Sequence, residues 1–281
     1  MNTKSTLTKN PWGYVRVDPE TLKDNPYVNP VAPREPPAVD PTPDPEPTPP
    51  TPSQPINGRY IEMPRADTYG LGVQALQQAC IQERNLNHPI YGSSGIYRPL
   101  TFKETIEARV NDYESHKPTP ERLHLFNNWK ASCCGIAYKH GSTKFKLQVQ
   151  CPELITIDST FAQGFLPVNY AKFSGVELDS SKGKYNQSIT PDEILNHPVW
   201  LAVMEGNKTL LKAYCDIVFH ELGQRSANKQ PPGGAMGFYV LQNTVEDQLR
   251  AVFVDLLDDF SSADGSNDLY YGGRFLRVAP R

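Results

Sequence analysis

Hydrophobic side chains recur at helical spacing in several stretches of this chain and alternate strictly in one. Between Tyr69 and Arg84, the residues Leu71, Val73, Leu76, Cys80 and Ile81 fall at helical spacing, which predicts a helix with that face in the core. Thr101 and Glu104 form a Thr-x-x-Glu capping box that opens a second helix, whose buried stripe is Ile106, Val110 and Tyr113. A third opens at Thr119 with Pro120 in its first turn and brings Leu123, Phe126 and Trp129 together. After a break at Cys134-Gly135 and a turn at His140-Gly141, Lys144 to Gln150 alternates Phe145, Leu147 and Val149 with polar residues. That alternation predicts a half-buried antiparallel strand.

Asp158 to Ser188 has no period and reads as irregular surface with short strands. A second capping box, Thr190 to Glu193, opens a helix that His197-Pro198 interrupts. From Lys208 to Leu222 a longer helix points Leu211, Tyr214, Cys215, Val218 and Phe219 inward, with Gly223 as its stop. Ala235 to Gln242 reads as strand, and Val245 to Leu257 fits either a helix or a buried strand. A short strand, Arg274 to Val278, closes the chain. Early helices followed by late strands predict an α+β domain with antiparallel strands.

Composition sets the limits of that domain. Of the 27 prolines in 281 residues, 13 lie between Pro26 and Pro55, a run with too few backbone donors and apolar side chains for helix, sheet or core. The chain therefore divides into a short N-terminal segment (1–25, with Trp12, Tyr14 and Val17), a solvated Pro-rich linker (26–56) and a folded domain (57–281). With 28 basic and 31 acidic residues the net charge is −3, which supplies no positive field for nucleic acid. No apolar run is long enough to span a membrane, and the polar start, Met1 to Lys9, has no signal peptide's apolar core. Five cysteines (Cys80, Cys133, Cys134, Cys151, Cys215) with no Cys-x-x-Cys pair read as reduced, mostly buried thiols.

Catalytic signatures are incomplete. His220-Glu221-Leu222-Gly223-Gln224 begins like a zincin helix but has Gln224 where the second histidine must stand to grip a metal. Gly233 to Gly237 lacks the Lys-Ser/Thr of a phosphate loop, and Asp264 to Asp268 lacks the closing glutamate of a calcium loop. No metal or cofactor is expected.

The most unusual stretch is Asp255 to Gly273, DLLDDFSSADGSNDLYYGG. It holds five aspartates and no basic residue. Lys, Glu, Gln, Met and Trp are absent from it, the five types that no codon ending in C encodes. Asp, Ser, Asn, Tyr and Gly, which dominate, are those reached from an AAC codon by changing its adenines. Tyrosines supply large stiff contacts and Asp, Ser and Asn adaptable hydrogen bonds, the mixture of an antibody paratope.

This segment, closing on GGRFLRVAPR (Gly272 to Arg281), resembles the variable proteins of diversity-generating retroelements. More narrowly, RPLTFKETIEARVNDYE (Arg98 to Glu114) and GSTKFK (Gly141 to Lys146) resemble the archaeal, nanoarchaeal-type group typified by AvpA. The resemblance implies a C-type lectin fold whose rigid backbone displays a hypervariable, adenine-rewritten ligand-binding face. The Glu-Pro-Asn, Gln-Pro-Asp and Trp-Asn-Asp triplets of animal C-type lectins are absent, a departure that argues against calcium-dependent sugar recognition.

Carried over position by position, the binding residues are Asp255, Asp258, Asp259, Phe260, Ser261, Ser262, Asp264, Ser266, Asn267, Asp268, Tyr270, Tyr271 and Gly272, all expected to project into solvent. Leu256, Leu257, Gly265, Leu269, Arg274 and Phe275 are expected to be scaffold. The expected function is non-enzymatic binding of a protein or cell-surface ligand. The alternatives are an enzyme on a formylglycine-generating type of fold, which needs cysteines in a cleft, and a structural or attachment component of a virion or cell surface.

Overall fold

A computed structural model describes residues 59–270 and 273–280. The expected N-terminal segment (1–25) and Pro-rich linker (26–56), and Tyr271 and Gly272 of the expected binding site, lie outside the described residues.

The described chain opens with β1 (Tyr60–Glu62) and α1 (Tyr69–Gln82), then a small hairpin, β2 (Ile90–Tyr91) and β3 (Ile96–Tyr97), and α2 (Phe102–Ser115). The Thr101–Glu104 capping box is formed in both directions. A 3-10 turn, Pro120–Phe126, leads to the central hairpin, β4 (Lys130–Tyr138) and β5 (Lys144–Gln148), reversed through Gly141 at φ +61°. Short elements follow: α3 (Pro152–Ile155), β6 (Leu166–Pro167), β7 (Val176–Asp179), α4 (Pro191–Ile194) and α5 (Pro198–Val203). The long α6 (Lys208–Arg225) precedes β8 (Phe238–Tyr239), β9 (Gln248–Val254), β10 (Ala263–Asp264) and β11 (Leu276–Val278).

The main sheet runs β7-β5-β4-β9-β10-β8, with β6 also paired to β9. Its two central strands, β4 and β9, are buried along their whole length and face a core on each side. Ile136, Tyr138, Val252 and Val254 point to a core shared with α2, α5 and α6, whereas Ala131, Ala137, Leu249, Ala251 and Phe253 point to one shared with α1. Burial on both faces turns the ambiguous Val245–Leu257 tract into strand, because a continuous apolar run is what a two-sided strand needs. β1 pairs antiparallel with β11, and Ala279 N–H donates to Arg59 O at 2.7 Å, so the two ends of the described domain meet.

Several expectations need correction. Cys134-Gly135 is no break but the middle of β4, where Gly135 packs so tightly that a Cβ would lie 2.6 Å from the Cys151 sulfur. Leu71 and Ile81 are exposed, since the inward stripe of α1 is Tyr69, Val73, Leu76 and Cys80. Gly223 does not stop α6. The helix continues to Arg225, and the missing side chain admits the Pro231 backbone, 3.0 Å from where a Cβ would be. Trp129 lies beyond the 3-10 turn and is 38% exposed rather than packed with Phe126. Only Phe238–Tyr239 of the expected Ala235–Gln242 strand is paired as a strand.

Candidate functional site

The Asp255–Gly273 segment links β9 to the closing strand, and its backbone is held largely by groups outside it. Met236 N–H donates to Phe260 O (3.0 Å), Ala263 N–H to Gly237 O (2.9 Å), Gly265 N–H to Tyr239 O (3.0 Å) and Leu269 N–H to Gly164 O (2.7 Å). Tyr69 N–H donates to Leu269 O at 2.9 Å, and the Tyr138 hydroxyl to Gly265 O at 2.9 Å. The Ala263 and Gly265 bonds pair β10 in parallel with β8, and β10 also pairs antiparallel with β9. The same clamps hold Phe260 and Ser261 in the left-handed region, at φ +58° and +49°, a conformation that costs a non-glycine residue roughly 1–2 kcal/mol.

The described candidate side chains of the segment fall into three groups. Asp258, Phe260 and Tyr270 are exposed, the last two at 42% and 43%. Asp259, Asp264, Ser266, Asn267 and Asp268 are half-buried. Asp255, Ser261 and Ser262 are buried, which corrects the expectation that they project into solvent. The cause is the β9–β10 pairing: Asp255 N–H donates to Ser262 O at 2.8 Å, turning both side chains into the protein. Among the expected scaffold residues Leu257, Gly265, Leu269 and Phe275 are buried, while Leu256 and Arg274 are partly exposed.

The five aspartates do not form a free acidic face. Asp258 pairs with Arg225 and Asp268 with Arg250. The Asp259 carboxylate accepts from Trp129 Nε1–H at 3.1 Å, and Asp264 caps a turn by accepting from Ser266 N–H and Oγ–H, both at 2.6 Å. Burial, then repulsion from Asp264 and Asp259, pushes the Asp255 carboxyl well above the ordinary range, partly offset by Arg109. Burial also raises Asp264, against the pull of its Ser266 bonds.

A groove of about 250 Å³ is lined by three residues of this segment, Leu256, Asn267 and Gly273. Its outer wall comes from residues far away in sequence: Arg65 and the turn Asn127-Asn128-Trp129. Phe253 also lines it, and Gly273 packs against its ring with room for no side chain, since a Cβ would lie 2.8 Å from the ring. Sequence reasoning missed this wall. Its one local signal is a tryptophan after two asparagines at a helix end, too polar a setting for a core aromatic.

Other motifs resolve into structural roles. Glu221 of the His-Glu pair is buried, accepting from Tyr113 Oη–H (2.8 Å) and Arg122 Nε–H (3.1 Å), while His220 points outward. Among the described residues no three His, Cys, Asp or Glu side chains are grouped to hold a metal ion. All five cysteines are free and buried, and burial raises every thiol, Cys80, Cys134 and Cys215 to about 12. None of them lines a described cavity. Among the described residues no helix is long and apolar enough to cross a membrane.

No protein-family model matches the chain, and no curated protein matches it. A solved structure does, described as the accommodation of massive sequence variation in Nanoarchaeota by the C-type lectin fold. It is 16% identical, matches over 80% of this chain and 100% of its own length, and superposes with a TM-score of 0.50. This chain has the C-type lectin fold. A mixed helix and strand domain with a curled central sheet is thereby accounted for, and on that C-type lectin scaffold the Asp255–Gly273 segment and its groove lie between the end of β9 and the closing strand β11.

Proposed function

We propose that this protein is a non-enzymatic binding protein whose C-terminal segment, Asp255–Gly273, is a diversified ligand site rewritten by a diversity-generating retroelement. The observation that supports it best is the clamping of the segment through main-chain bonds from Tyr69, Gly164, Met236, Gly237 and Tyr239. Main-chain bonds do not depend on side-chain identity, so exposed residues such as Asp258, Phe260 and Tyr270 can be exchanged while the backbone stays in place. The AAC-like composition of the segment supports the same reading, as does a C-type lectin fold whose nanoarchaeal representative accommodates massive sequence variation. In this reading the partner is a protein or cell-surface ligand, and the Pro-rich run 26–56 is a linker carrying the binding domain.

Sequencing the gene across a natural population tests the reading. Substitutions should concentrate in AAC-derived codons between 255 and 273, with a near-identical, unvaried copy of the segment beside a reverse transcriptase gene. A segment as uniform as the rest of the gene, with no such copy, would sink it.

A further inference from the structure

The groove beside the segment carries a chemical preference that the five aspartates hide. None of its described lining residues is acidic, whereas Arg65 and Arg274 both line it. Beneath it lies an excess of buried positive charge. Glu62 is shared between Arg274 (Nη1–Oε1 2.8 Å) and Lys130 (Nζ–Oε2 2.9 Å), so one carboxylate serves two cations. Arg109, fully buried, spends its hydrogen bonds on neutral acceptors, the Tyr214 hydroxyl (2.7 Å) and the carbonyls of Asn128 (3.2 Å) and Val254 (3.4 Å). Asn128 is the link between this cluster and the groove. It lines the groove while its carbonyl accepts from both Arg109 and Lys130 and its amide donates to Glu62 at 3.1 Å.

From the segment side Asp255 interacts electrostatically with Arg109, and Asp259 reaches the Trp129 wall of the groove. The first is buried, and the second already accepts from Trp129. On the segment side Asn267 also lines the groove, and its amide nitrogen is buried with no acceptor. Arginine forks and an unmatched amide donor complement an acceptor, and in a partly desolvated groove an opposite charge is worth more than in open solvent. The remaining lining is apolar: Trp129, Phe253 and Leu256.

Resting on the binding-protein reading, we propose that this groove is an anchoring subsite for a protein partner that presents a carboxylate beside an apolar or aromatic side chain. The carboxylate meets Arg274 and Asn267, and the apolar side chain lies against Trp129 and Leu256. The subsite is built mainly from residues outside the diversified segment. Apart from Asn267, which is one of the expected variable positions, it therefore supplies a constant foothold for an acidic-apolar motif, around which Asp258, Phe260, Asn267 and Tyr270 select among partners.

Titration of the full chain with N-acetyl-Phe-Asp-amide, N-acetyl-Phe-Asn-amide, N-acetyl-Phe-Lys-amide and inorganic phosphate, followed by the NMR shift of the Trp129 indole N–H, tests it. The Asp peptide should bind at least about tenfold tighter than the Asn peptide, with the Lys peptide weakest and phosphate far weaker than the Asp peptide. Arg274→Gln should reduce the Asp-over-Asn ratio to within about twofold. Arg65→Gln, which leaves the Arg274–Glu62 pair intact, should lower it about threefold and serves if Arg274→Gln does not fold. Equal binding of the Asp and Asn peptides, a preference for the Lys peptide, phosphate binding as tight as the Asp peptide, or no binding by any probe would each overturn the proposal. The diversified-site reading fails separately, on an invariant gene segment, and survives any of these peptide results.

Discussion

The ring of Phe275 occupies the space that a side chain on Gly72 would need: a Cβ there would stand 2.3 Å from Phe275 Cε2. The same ring meets Tyr69 edge-on at 5.2 Å, so residues of α1 and of the chain's closing segment share one packed layer. Phe275→Ala should therefore cost about 3–5 kcal/mol through lost burial and a cavity, read from urea melts. Gly72→Ala should also destabilise, because neither the ring nor the helix backbone has room to withdraw.

The exposed residues of the segment should behave in the opposite way. Simultaneous replacement of Asp258, Phe260 and Tyr270 by Ser should leave a folded protein, with each change within about 0.5 kcal/mol of neutral in the same melts. Collapse of this variant would mean that display and scaffold are not separable.

Asp255 gives a pH signature. Its carboxyl is raised in the folded protein, so the native state holds that proton more tightly than the unfolded chain. Its contribution to stability is then fullest below about pH 4, the unfolded value, and is lost as pH rises through the folded value. Asp255→Asn removes the buried charge and should be more stable than the parent by about 1–2 kcal/mol at pH 7, converging with it near pH 3. Denaturant melts across that range would reject this if the two curves ran parallel.

Lys130 should act at the other end of the scale. Burial, with repulsion from Arg109 and Arg274 and the opposing pull of Glu62, lowers its ammonium to about 8 from 10.5. Between those values the unfolded chain holds the proton that the native state has released, so Lys130 makes stability rise with pH across that window. Lys130→Met, which leaves Glu62 bonded to Arg274 and Asn128, should flatten that rise.

The thiols offer a simple check on packing. With all five cysteines buried and their thiolates disfavoured, a thiol reagent at pH 8 should label the native protein slowly and reach five equivalents only in denaturant. Rapid labelling of even one would place a reactive cysteine at the surface and favour the enzymatic alternative.

What could be read from the sequence was local. The Thr101–Glu104 capping box and the alternation of Phe145 and Leu147 are written in adjacent residues, and both are present in the fold. β4 was illegible because Lys-Ala-Ser-Cys-Cys-Gly-Ile-Ala-Tyr has little strand propensity of its own and is made a strand by β5 and β9 on either side. The composition of Asp255–Gly273 marked the segment, but not which side chains turn inward. That depends on Asp255 pairing with Ser262, a relation between strands. The groove wall at Arg65 and Trp129 was invisible for the same reason, its parts being far apart in the chain.

Main-chain clamps at Phe260, Ala263, Gly265 and Leu269 count positions and are indifferent to what each position carries. An inserted or deleted residue between Asp255 and Leu269 would shift those bonds out of register and pass Asp264 beyond its partner Tyr239. Length, then, is the quantity this segment must keep. A population of such genes should be rich in point changes here and nearly empty of insertions and deletions, and segments of equal length should be transplantable between relatives whole.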